Sequence, residues 1–70
     1  MNGREFLKKA RRYAKDNGLD YRFDESRGKG SHGTVYVGTR RTTVKDRKKE
    51  IYQGLYLSML ADLGIDPSQF

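Results

Sequence analysis

His32 is the only histidine in the chain, and it follows a glycine-rich basic stretch, Arg27-Gly28-Lys29-Gly30-Ser31. Histidine is the one side chain whose ordinary pKa permits proton transfer in both directions near neutral pH. Glycines let backbone N–H groups come close to a phosphate, and Arg and Lys neutralise its charge. A proton shuttle beside a phosphate-sized basic loop is equipment for phosphodiester chemistry. A lone histidine in a small domain is, however, usually a surface or capping residue. The elements that carry His32 therefore decide what it can do.

Seventy residues make a single domain, 1–70. A chain this short buries only roughly 60% of the surface it exposes when unfolded, so it is expected to lean on a partner. It has no cysteine, which excludes a disulfide framework and a thiolate metal site. One histidine argues against a zinc centre, and no metal or cofactor is expected. No apolar run approaches the ~20 residues needed to span a membrane. Met-Asn-Gly-Arg-Glu-Phe at the start lacks the apolar centre of a signal peptide, so a cytoplasmic protein is expected.

Charge narrows the class further. Fifteen Lys and Arg oppose nine Asp and Glu, for a net charge of +6. Six cations lie between Arg4 and Lys15 and eight between Arg27 and Lys49; none follows Lys49. A basic body with a neutral-to-acidic apolar tail is an electrostatic footprint for nucleic acid. A membrane-surface role fits less well, because no Trp or long Phe/Leu stripe accompanies the basic segment.

The elements follow from periodicity. Asn2 with Glu5 reads as a capping box. Phe6, Leu7, Ala10, Tyr13 and Ala14 recur at helical spacing, and Asn17-Gly18 supplies the stop. This predicts a helix over about 3–16. Leu19, Tyr21 and Phe23 alternate with polar residues as a half-buried strand. His32 to Val37 alternates again, and after a turn at Gly38-Thr39-Arg40 so does 41–45. Tyr52, Leu55, Tyr56, Met59 and Leu63 share a helical face that ends at Gly64. Leu57 lies about 140° around that helix from Tyr52, off the core stripe, with Leu60 near the stripe's edge.

The predicted order is helix, three strands, helix, an α+β fold. Short connections imply an antiparallel meander with both helices on one face. Leu19, Tyr21, Phe23, Val35, Val37 and Val44 then point to the covered face. Period-two alternation assigns Arg22, His32, Thr34, Tyr36, Arg41, Thr43 and Lys45 to the open one. A proton shuttle, a phenol and several cations are thus expected on one solvent-facing surface.

These residues resemble the HicA family of toxin–antitoxin systems. The resemblance covers nearly the whole chain. It rests on Lys29-Gly30-Ser31-His32, on the Thr42-Thr43-Val44 strand, and on Gly54-Leu55 leading into Leu60 and Leu63-Gly64-Ile65. It implies a double-stranded-RNA-binding-domain-like α-β-β-β-α fold and endoribonuclease activity on mRNA. It also implies His32 as the catalytic residue and a HicB-type antitoxin as the neutralising partner. Two departures matter. Gly33 stands where many relatives carry a second histidine, and Lys45-Asp46-Arg47-Lys48-Lys49 replaces a Pro-His pair. A two-histidine acid–base pair is therefore absent.

RNA carries its own nucleophile, the 2′-hydroxyl. Cleavage needs a base, an acid for the leaving 5′-oxygen, and cations for the phosphorane. His32 can fill one proton-transfer role. Arg27 and Lys29, with Gly30 and Ser31 shaping the loop, are candidates for binding the phosphate. Arg41 and Lys45 are candidates for positioning the strand. Tyr36 can stack a base, donate a proton, or simply pack half-buried. No paired carboxylates point to a two-metal site, so cleavage is expected to need no metal. The alternative from another class is an RNA-binding module that recognises A-form RNA by shape and does no chemistry. A third is a protein-interaction domain with an acidic partner. A small basic toxin needs a neutraliser, and an exposed Leu57 beside a basic surface offers it apolar and charged contacts.

Overall fold

Helix α1, Gly3–Asp16, starts where its side chains close a reciprocal cap. The Asn2 carboxamide oxygen accepts from the Glu5 N–H at 2.9 Å, and the Glu5 carboxylate accepts from the Asn2 N–H at 3.2 Å. Two of the four orphan donors of the first turn are thereby satisfied. At the other end Gly18 takes φ +64°, the left-handed region that stops the helix. Phe6, Ala10 and Ala14 are buried, while Arg4, Lys8, Lys9, Arg11, Arg12 and Lys15 are exposed. These are the positions of a computed structural model that describes residues 1–25 and 32–70.

Strands β1 (Tyr21–Asp24), β2 (Gly33–Val37) and β3 (Arg40–Val44) form an antiparallel sheet in the order β1-β2-β3. Phe23 pairs with Val35, Tyr36 with Arg41 and Gly33 with Val44. Helix α2, Gln53–Leu63, covers β3, and α1 covers β1 and β2. The chain is α+β, with the order α-β-β-β-α and both helices on one face. Val35, Val37 and Val44 lie in the core with Phe6, Met59, Leu60, Leu63 and Ile65, as the alternation predicts. Thr42 is the one buried polar side chain described, and its hydroxyl donates to Asp62 of α2 at 2.9 Å. That bond ties α2 to the edge strand. Phe70 closes the core from below, its ring 5.1 Å from that of Phe6. Among the described residues no helix is long and apolar enough to cross a membrane.

Three apolar side chains depart from expectation, each for a local reason. Leu19 is 42% exposed rather than on the covered face. Its N–H still bonds the Ala14 carbonyl at 2.8 Å, so the chain is closing α1 there and β1 begins only at Tyr21. Tyr52 is 70% exposed because it is the N-cap of α2 and not part of its inward stripe. Leu60 is fully buried, not marginal. Gly64 at φ +68° lets the Ile65 N–H reach the Leu60 carbonyl at 2.9 Å, the Schellman closure that brings both side chains inward. Leu57 is exposed, as its angle around the helix requires.

Candidate functional site

His32 is exposed and stands immediately before β2. One residue beyond the Gly33–Val44 pair, it shares with Lys45 the lip of a cleft between the sheet end and the start of α2. Val44, Leu55 and Met59 form the apolar floor; Asp46, Lys49 and Glu50 complete the rim. Ile51 and Tyr52 lead the chain from this rim into α2, and Tyr52 offers no side-chain cap to the helix's first N–H groups.

This placement corrects the expected grouping. His32 and Lys45 lie one residue beyond the strands that form the sheet's open face. They line the cleft at its end, because β2 begins at Gly33 and β3 ends at Val44. Thr34, Tyr36, Arg41 and Thr43 line a separate depression that runs over the β3 edge to Thr42 and Asp62. Four residues of extended chain put His32 and Tyr36 roughly 13 Å apart. On that face Arg22 stacks on Tyr36, its guanidinium 4.3 Å from the ring centroid. Arg22 and Arg41 are the register neighbours of Tyr36 on either side, so the phenol lies between two cations. Arg27, Lys29, Gly30 and Ser31 lie outside the described residues, as does the rest of 26–31.

Glycine at position 33 has a packing reason. A Cβ there would come within 2.4 Å of the Phe23 ring, which lies across the pleat. The residue after His32 is thus pressed under an aromatic ring on the core side, with no room for a side chain. Arg47 lies over that ring at 5.5 Å and pairs with Glu25 at 3.2 Å.

Helix α1 packs on the covered side of the sheet, as the periodicity predicts, and its cations lie there rather than beside the open face. There Arg4, Lys8 and Arg11, at i, i+4 and i+7, form one wall of a groove of about 410 Å³. Arg47 and Lys48 from the β3–α2 connection form the other, above Tyr21. Burial raises the Tyr21 phenol above its ordinary value, and the Arg11 charge partly offsets this. Two contacts hold the connection against α1. The Arg4 N–H donates to the Arg47 carbonyl at 3.0 Å. Gly3 also leaves so little space that a Cβ would lie 2.7 Å from Arg47 Cα. This groove was not legible in the sequence, since periodicity does not say which loop crosses which helix.

Compared with protein-family models, with curated proteins and with solved structures, the chain matches none.

Proposed function

We propose that the chain is a small endoribonuclease acting on mRNA, a toxin held in check by a HicB-type antitoxin. The observation that carries this reading is the exposed His32 on the lip of a cleft with Lys45, near the start of α2. An imidazole there can move a proton to or from a ribose or leaving-group oxygen. Lys45 can stabilise charge gathering on a phosphate. General acid–base assistance of this kind contributes ~10²–10⁴-fold. The Arg22–Tyr36–Arg41 row offers a stacking surface flanked by cations along the open face. The apolar floor of the cleft and the exposed Leu57 are the kind of surface an antitoxin could cover. The test is cleavage of single-stranded RNA by the purified chain and by His32→Ala. RNA bound but never cut by the parent chain points instead to an RNA-binding module.

A further inference from the structure

The connection 45–50 separates two hollows. Lys45, Asp46, Lys49 and Glu50 line the His32 cleft, whereas Arg47 and Lys48 turn into the groove against α1. The charge of the two differs. The cleft's two lysines face two carboxylates. The groove gathers Arg4, Lys8, Arg11, Arg47 and Lys48 with no carboxylate among its lining residues. Only Arg47 has an ion-pair partner among the described residues, Glu25. Like charges at i, i+4, as at Arg4 and Lys8, destabilise a helix, so the fold carries this concentration at a cost. The densest positive charge described is therefore not at His32 but across the connection from it.

We propose that this groove is a phosphate-anchoring subsite for the RNA strand whose scissile bond lies at His32. The inference rests on the ribonuclease reading for the identity of the polyanion. The strand crosses the connection, and the groove cations hold its backbone on the far side. They bind by charge and read no base, so they supply affinity and register rather than sequence preference. Tyr21 at the floor keeps its proton and presents a hydroxyl that can donate to a phosphate oxygen.

The test compares two charge-matched variants of α1. Lys8→Gln/Arg11→Gln removes two groove cations. Lys9→Gln/Arg12→Gln removes two from the neighbouring helix face, which lines a different hollow. All four positions are exposed, so both variants are expected to keep the fold, which circular dichroism checks. The probe is a short single-stranded 2′-O-methyl RNA, which binds but lacks the internal nucleophile. Its affinity is read by fluorescence anisotropy across a salt series. The groove variant is expected to bind about tenfold more weakly, with a log–log salt slope shallower by about 1.4 for two lost contacts. The control variant stays near the parent, and Lys48→Gln on the facing wall weakens binding in the same sense as the groove variant. Equal loss from both pairs, no loss from either, or no binding by the parent overturns the proposal. Cleavage is scored separately on unmodified RNA. Selective binding without cleavage ends the catalytic reading and leaves the groove. Cleavage by the parent chain with equal effects from both pairs does the reverse.

Discussion

His32 and Lys45 are the residues next beyond Gly33–Val44, the last pair of the β2–β3 ladder, and both line the cleft at the start of α2. The β2–β3 register sets this relationship, while the 26–31 stretch precedes it in the chain. It brings an imidazole and a lysine to one edge of one cleft.

Lys45 is the first residue on which this arrangement can be checked. As a cation beside His32, it is expected to act on the phosphate in the transition state. Lys45→Gln should lower kcat by about 10²-fold, the low end of what loss of one charge-stabilising donor costs. Binding of a non-cleavable RNA should change much less. A variant that binds more weakly but turns over at the parent rate would return Lys45 to a strand-positioning role.

Gly33 allows a prediction about stability. A methyl group there meets the Phe23 ring at 2.4 Å, so Gly33→Ala should destabilise the fold by ~1–3 kcal/mol through overpacking. Phe23→Leu in the same chain should recover part of the loss by vacating the space. Denaturant unfolding of the single and double variants measures both. Additive losses would mean that the ring and the glycine are not coupled.

Tyr21 predicts an alkaline signature. Its phenol is raised in the folded chain above the ordinary value of 10.0. The stabilising contribution is then fully present below about pH 10 and is lost as pH rises through the folded value. The unfolded chain releases that proton first. Tyr21→Phe has no such proton. The stability difference between parent and variant should be flat to about pH 10 and then shift against the parent. A difference that stays flat at higher pH contradicts the burial assigned to this phenol.

Much of the fold was legible because its signals are local. Asn2 with Glu5 marks one end of α1 and Asn17-Gly18 the other, through hydrogen bonds made within a few residues. Val35, Val37 and Val44 announce the core face by alternation alone. The errors arise where local patterns stop. Leu19 and Tyr52 look periodic with the element beside them, but both belong to caps. His32 continues the alternation of β2 on paper, yet the ladder ends at Gly33. The basic groove depends on the connection 45–50 crossing α1 at Gly3, a contact between residues more than forty positions apart.

The central claim is that His32 transfers a proton in RNA cleavage. The most direct measurement is single-turnover cleavage of a defined single-stranded RNA by the parent chain and by His32→Ala. Far-UV circular dichroism and thermal melts of both are recorded alongside. His32 is exposed and outside the buried core, so the variant is expected to fold and melt like the parent. It should bind non-cleavable RNA nearly as well, and its cleavage rate should fall by at least ~10²-fold. Parent-rate cleavage by a folded His32→Ala chain would contradict the account.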